Sequence, residues 1–568
     1  MPLLHLSPSR RRAVLAALSL PAAALAGACR RPASPGPTPP VAPAEPETPR
    51  TPGGPPVAPA PNAAPAVAGS AMPGMPIGGA AALAGLGLGG DPQPRPYGFV
   101  ISPDTRSRRG LFTTHRVKGR LLYEIPPGEL GKDMLLVASI ARNAVGQGTP
   151  GSTGQRVLRW ERREHRVLLR SVRYDFIADT AQAVYRAVEA ASVNPIIAAF
   201  NVEAYGPDSA PVIDVTRLFL SPPMEMTSAG GSFATPFGGA PRGTPDPSRS
   251  FLERVSTFPR NVEVEATLTY GAGAPATLMS PGGPGTITIM GGASQATSVV
   301  LHWSMVKLPE RPMTPRLRDD RVGYFAVQQI DFGRPEQRAT QRSYITRHRL
   351  ECSDRKVTTA RGDTLCVPVQ PIVYYVDAAA PSQWRPWLKR GIEAWKPAFE
   401  AAGFADAIVA KDPPSPREDP DWSPEDARYS VVRWLTSTIP NAAGPHVHDP
   451  RSGEILEADV ELHHNVQTIL RTQYWTQVAP LDARARQLPL PDSLMGRLLE
   501  YVVAHEIGHT LGLPRNLKAS ATYPVDSLRS RTFVARMGFV PTLMDYARFN
   551  YVAQPEDSIP PSALEKRR

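Results

Sequence analysis

The chain has 568 residues, 42% of them hydrophobic, with 65 prolines and a formal net charge of +11. That length and apolar content allow two or three domains with sizeable cores and exclude a chain disordered throughout. The basic residues are spread out, with no nucleic-acid motif and no aromatic–basic stripe, so the charge reads as a solvated surface and nucleic acid is not an expected partner.

In chain order, residues 1–29 read as an export segment. Arg10, Arg11 and Arg12 precede the apolar run "AVLAALSLPAAALAGA", which is too short and too poor in large side chains for a membrane span. "SRRRAVL" loosely resembles a twin-arginine signal. "LAGAC" resembles a lipobox ending in Cys29, although leucine stands four residues before the cysteine rather than three and Arg30 follows at once. Cys29 is therefore read either as a lipidated membrane attachment point or as an ordinary residue of a cleaved signal. The expected location is the periplasm or cell envelope.

Residues 30–95 are dominated by Pro, Ala and Gly and read as a disordered tether. Residues 96–310 read as a β-rich domain, with strand-like runs such as "RLLYEI", "DMLLVASIA", "NVEVEATLTY" and "SVVLHWSMVKL" and one helical insert, "TAQAVYRAVEAA". A Gly/Pro-rich loop is expected near 228–248. Residues 311–370 continue with strands as a connecting segment. Cys352 and Cys366 are expected at the ends of two of them, either as a disulfide or as two free thiols.

From residue 371 to 568 the pattern is mixed α/β. "PIVYYVD", "DAIVAK", "RYSVVRWL" and "EILEADVELHH" read as strands. "SQWRPWLKRGIEAWKPAFEAAGF" reads as one amphipathic helix, with Trp387, Leu388, Ile392, Trp395 and Phe399 on one face. "VQTILRTQYWTQV" is a second helix. A third, capped by Asp492 or Ser493, runs from about Leu494 until Gly512 stops it.

That third helix carries "AHEIGHTLGLPRN". His505 and His509 are four residues apart and project from one face, so two imidazoles can bind one zinc ion. Glu506 lies beside them, placed to take a proton from an activated water. The bland alternative is a helix face with two ordinary histidines. Gly512 at the spacing of a turn, and "PTLMDYARFN" some thirty residues on, weigh against it.

"HEIGHTLGLPRN" with "LMDYARFNYVAQPED" resembles the metzincin clan of zinc peptidases. More closely, the chain resembles the bacterial Met-zincin family of exported zinc-dependent metalloproteases. "GPHVHDPRSGEILEADV", "YPVDSLRS" and "DPDWSPEDARYSVVR" carry that likeness, and "GKDMLLVASIAR", "RSFLERVSTFPRNVEVEATLTY" and "RVGYFAVQQIDFG" extend it upstream. The resemblance covers residues 100–557. It implies an α+β chain, a β-rich domain followed by a metzincin-like α/β zinc-peptidase domain. It implies Zn2+ on His505 and His509, Glu506 as general base, Met544 packed beneath the metal, and a peptide or protein substrate cut by metal-assisted hydrolysis.

Two departures qualify this expectation. Arg515 stands where the family pattern has its third histidine, and a guanidinium, permanently charged and without a lone pair to give, cannot ligate zinc. Tyr546, Asp545, His463 and His464 are the substitutes to consider; for Asp545 the alternative is an ion pair with Arg515 or Arg548, and for the two histidines a place at a strand edge. The second departure is the ending "QPEDSIPPSALEKRR", unlike a closing helix, which reads as a truncated domain. The main expectation is an exported zinc metalloendopeptidase. Its rival is an impaired pseudo-protease acting as a cell-envelope binding or scaffold protein, and a peptide-binding inhibitor or decoy is a third.

Overall fold

The computed structural model describes residues 93–143, 151–227, 244–271, 276–279, 286–289 and 296–565. The export segment with Cys29, the tether up to residue 92 and most of the 228–248 loop lie outside them. Arg95, at the end of the range read as tether, pairs with Glu203 and bridges to Ala204. Among the described residues no helix is long and apolar enough to cross a membrane.

The upstream part is built on one sheet of eleven strands, from Arg106–Arg108 at one edge to Phe251–Thr257 at the other. Every neighbouring pair is antiparallel. Its alternating strands bury one face around Phe112, Tyr123, Trp160 and Trp303. "RVLRWERREHRVLLRSVRY" is a hairpin, Gly151–Arg163 with Arg166–Val172, turning at Glu164 with positive φ. The insert forms the expected helix, Val184–Ala191. Cys352 and Cys366 are joined; their strands begin at Cys352 (Cys352–Thr358) and contain Cys366 (Thr364–Pro368), rather than ending at both cysteines.

The downstream part carries a five-stranded sheet of β1 (Ile372–Val376), β2 (Ile408–Lys411), β3 (Ser430–Leu435), β4 (Ala442–Ala443) and β5 (Val460–His463), in the order β2-β1-β3-β5-β4. β4 is the antiparallel edge strand and the other pairings are parallel. The single helix expected over 382–404 is two, α1 (Arg385–Glu393) and α2 (Lys396–Ala401). Pro397 explains the break, because it lacks an N–H and its ring collides with the carbonyl four residues back. The helix α3 (Val466–Val478) falls as expected. The long α4 (Asp492–Thr510) starts at Pro491, with no side-chain cap from Asp492 or Ser493.

α4 is buried on almost all sides from Leu494 to Thr510, the signature of a helix at the centre of a domain. Gly391 of α1 faces it so closely that a Cβ there would lie 2.6 Å from the Glu500 carbonyl and 2.8 Å from Val503 Cβ. The two parts of the chain are stitched by polar contacts: Asn261 Nδ2 donates to the Glu425 carbonyl at 2.7 Å, and its Oδ1 accepts from the Ala427 N–H at 3.1 Å.

The terminal stretch packs into this domain. Pro561–Leu564 forms a short helix, Leu564 is fully buried, and Phe549 bridges to Glu565. Buried Glu565 takes Arg497 Nε at 2.5 Å and Arg484 Nη2 at 2.9 Å. The ending, read as unlike a closing helix, thus contains a short one that packs into the domain. Glu565→Gln should destabilise the protein by about 1–3 kcal/mol, the cost of weakening charge-assisted bonds at a half-shielded site. Urea unfolding measures this, and an unchanged midpoint would mean the terminal stretch contributes nothing.

Candidate active site

α4 brings His505, Glu506 and His509 together as the spacing predicts. All three are buried, and the two imidazole rings lie 4.8 Å apart, edge to face. His505 Nδ1 bonds the Leu543 carbonyl and His509 Nδ1 the Leu513 carbonyl, each at 2.7 Å. A carbonyl oxygen only accepts, so each Nδ1 carries the proton, and in the neutral ring the lone pair falls on Nε2. Among the described residues, buried His509 Nε2 has no hydrogen-bond partner, nor does Glu506 Oε2. A metal ion fits this donor set: imidazoles oriented through Nδ1 to backbone carbonyls are the usual arrangement of a metal-binding pair.

Burial lifts the Glu506 carboxyl to about 7, against the pull of the Arg515 and Arg548 charges and a hydrogen bond from the Gly444 backbone. Gly444 follows edge strand β4, and its backbone lies against that of Glu506: a Cβ there would meet the Glu506 carbonyl oxygen at 2.2 Å. Burial also lowers His509, and the Arg515 charge adds to the effect.

The floor is Met544. It is buried, and a Cβ on Gly508 would lie 2.2 Å from its Sδ. Beyond α4 the chain turns at Gly512, with φ +97°, where a Cβ would strike the Thr346 carbonyl at 2.2 Å. The Phe325 N–H donates to the Gly512 carbonyl at 2.8 Å, and the Phe325 ring stands 6.1 Å from that of His509.

Of the substitutes for a third ligand, Asp545, His463 and His464 do not gather with the pair, whereas the Tyr546 ring lies beside His505. Among the described residues no Asp, Glu, Cys or further His gathers with His505 and His509; the three-donor group is Glu263, His302 and Glu425, elsewhere in the fold. Asp545 accepts from Ser520 Oγ at 2.8 Å and the Ala547 N–H at 2.9 Å, which corrects the expected pairing with Arg515 or Arg548. His464 Nδ1 accepts from Trp434 Nε1 at 3.3 Å, and His463 is buried at the end of β5. The Tyr546 ring stacks on His505, 5.7 Å away and tilted by 28°. Arg515 is exposed, and its guanidinium carbon lies over this ring, 5.0 Å from the centroid.

Residues 487–567 match the family model described as Met-zincin. This stretch is a metzincin-like domain. It holds α4, the glycine turn and the methionine turn; the sheet that carries β4 precedes it. Residues 94–143 and 151–353 match two further models, each described as a domain of unknown function (DUF5118 and DUF5117). Comparison with curated proteins finds no match.

The metzincin-like domain leans on residues that sequence reasoning left unassigned. His348 Nε2 donates to the Thr510 carbonyl at 3.0 Å, and His446 bonds the His509 backbone. His348 therefore satisfies a carbonyl that the last turn of α4 leaves unpaired, whereas the His509 carbonyl also accepts the Gly512 N–H at 3.0 Å. The only available signal was their place in the histidine-bearing runs "TRHR" and "GPHVHD". Burial lowers His348 to about 4 and His446 to about 3, whereas an unfolded histidine titrates near ~6.5. The unfolded chain thus takes up these protons first as pH falls. Their contribution to stability is whole above about pH 6.5 and is lost as the pH drops through the folded values. His348→Gln keeps an N–H for Thr510 but does not titrate, so the loss of stability between pH 7 and pH 5 should shrink. Urea midpoints at both pH values check this; an equal loss in wild type and variant would clear His348 of the effect.

Proposed function

We propose that this chain is an exported zinc metallopeptidase that hydrolyses peptide bonds. The observation that carries this reading is the pair of imidazoles on α4, each fixed through Nδ1 by a backbone carbonyl, beside a buried carboxyl whose Oε2 is unengaged. A scaffold protein has no use for that combination. The export clause rests on the N-terminal segment.

His505 and His509 would hold the metal through Nε2. When bound, zinc supplies Lewis acidity to the attacking water and the scissile carbonyl. Glu506 takes the proton from that water and delivers it to the leaving amine. A carboxyl raised to about 7 by burial both accepts and releases a proton near neutral pH. The Gly444 bond and the helix hold it in place, and Met544 supports the turn from beneath without touching the proton path.

A second reading, a binding protein descended from such an enzyme, is favoured by Arg515 and by the lack of a third Asp, Glu, Cys or His donor beside the pair among the described residues. Two imidazoles hold zinc more weakly than the three protein ligands usual in enzymes.

Metal content separates the two. The full chain should copurify with, or take up, one zinc that His505→Ala abolishes. Glu506→Gln should keep the zinc and lose peptide hydrolysis by roughly 10²–10⁴-fold. A folded wild-type protein that takes up no zinc would turn the reading to the scaffold. Arg515→His should raise zinc affinity by about an order of magnitude or more, because it completes a three-ligand set; unchanged affinity in a competition titration would mean another group already fills the position.

A further inference from the structure

We propose that Arg515 and Arg548 form a carboxylate clamp at the mouth of the α4 site, which selects acidic peptides. This rests on the reading of the site as a peptide site, though not on its being hydrolytic.

The clamp is organised by Tyr546. Its ring stacks on His505, and the guanidinium carbons of Arg515 and Arg548 lie 5.0 and 4.7 Å from its centroid. A guanidinium held over an aromatic ring by cation–π attraction keeps N–H donors for a planar, bidentate acceptor. Among the described residues neither guanidinium has a carboxylate or hydrogen-bond partner; the ring is their contact. Other arginines of this domain and its sheet are satisfied differently: Arg433 by Glu425 and Asp459, Arg484 by Asp482 and Glu565, Arg529 by Asp557. Two like charges gathered on one ring, beside the imidazole of the candidate metal pair, repel one another until an anion joins them. Both also act on Glu506, which places them close to it, but that carboxyl is buried and held by Gly444. The acceptor must come from outside, and in a peptide site it is an Asp or Glu side chain or a terminal carboxylate. Recognition by a charge-assisted, bidentate bond gives geometric selection as well as attraction.

The test uses the full chain and two readouts. In the first, Glu506→Gln protein is titrated against a fluorescein-labelled decapeptide of alternating Glu and Ala, and against the same peptide with Gln for Glu. The Glu peptide should bind at least about tenfold more tightly, with an advantage that declines as salt rises. Arg515→Gln and Arg548→Gln should each cut that preference several-fold, and the double variant should remove it. Arg515→Lys should restore part of it by keeping charge without the fork. Arg361→Gln, an equal loss of charge at the exposed tip of the disulfide-linked hairpin, should leave it unchanged. In the second readout, wild-type protein is given a mixed peptide pool, and residues flanking the cuts should be enriched in Asp and Glu.

No preference for the Glu peptide, or a preference that survives the double variant, overturns the clamp whether or not peptides are cut. Arginine-dependent binding without any cutting upholds the clamp and sinks the hydrolytic reading. Cutting with no acidic preference in either readout does the reverse.

Discussion

The site depends on two backbone carbonyls, those of Leu543 and Leu513, each accepting the Nδ1 proton of a histidine on α4. A histidine pair at helical spacing on its own is ambiguous, because each ring has two tautomers and can rotate. Binding Nδ1 to an acceptor that has no hydrogen to give removes that ambiguity and directs both Nε2 lone pairs outward from the helix. Neither carbonyl belongs to the helix. Leu513 lies in the glycine turn and Leu543 immediately before Met544, so the chemistry of α4 is set by chain that follows it. Two glycines allow that chain to approach. Gly512 turns against the Thr346 carbonyl in a conformation L-residues avoid, and Gly508 leaves space for the Met544 sulfur.

The burial that raises the Glu506 carboxyl and lowers His509 also has a cost. A helix enclosed on nearly every side still has unpaired carbonyls at its C-terminal end, and leaving these unbonded would cost on the order of 1–3 kcal/mol each. His348 covers that of Thr510, and His446 adds a second bond at the His509 backbone, whose carbonyl also takes the Gly512 N–H. The upstream sheet supports this arrangement in turn: Gln155 Nε2 donates to the His446 carbonyl at 3.3 Å, and Arg451 Nη2 to the Pro309 carbonyl at 2.7 Å. The large β-sheet therefore does more than precede the metzincin-like domain. It reaches the wall of the site through the backbone of a residue that caps the key helix.

Much of this was legible in the sequence because it rests on local periodicity. The alternation in "NVEVEATLTY" and the four-residue spacing of His505 and His509 each follow from geometry within one element. Pro397 could have been read as the break between α1 and α2, but the apolar stripe through Trp395 and Phe399 concealed it. What escaped notice depends on contacts between segments distant in the chain. Nothing near His348 or His446 marks them as caps, since their partners lie more than sixty residues away. Asp545 was weighed as a ligand or as the partner of an arginine, yet Ser520 and the Ala547 N–H of its own turn bond it. The ending was misjudged because proline and basic residues outweighed "SALE", whose Ala563, Leu564 and Glu565 are all buried.

Arg515 acts on the site in more than one way. A third imidazole would donate electron density to a metal; a guanidinium gives none, and its field opposes a cation. The same field acts oppositely on the carboxyl. For Glu506, burial is the larger effect and favours the protonated acid, while the Arg515 and Arg548 charges and the Gly444 bond favour the carboxylate. Without those two charges the acid would stay protonated to higher pH and would be a poorer base near neutrality. Both guanidinium carbons lie over the Tyr546 ring, and Arg515 is exposed, while their charge still reaches Glu506. Weaker attraction for a metal, a more readily ionised base and a cationic lip thus go together with the two arginines. They bear unequally on the two functional readings: the first favours the scaffold, the second serves only an enzyme, and the third serves any protein that binds acidic peptides.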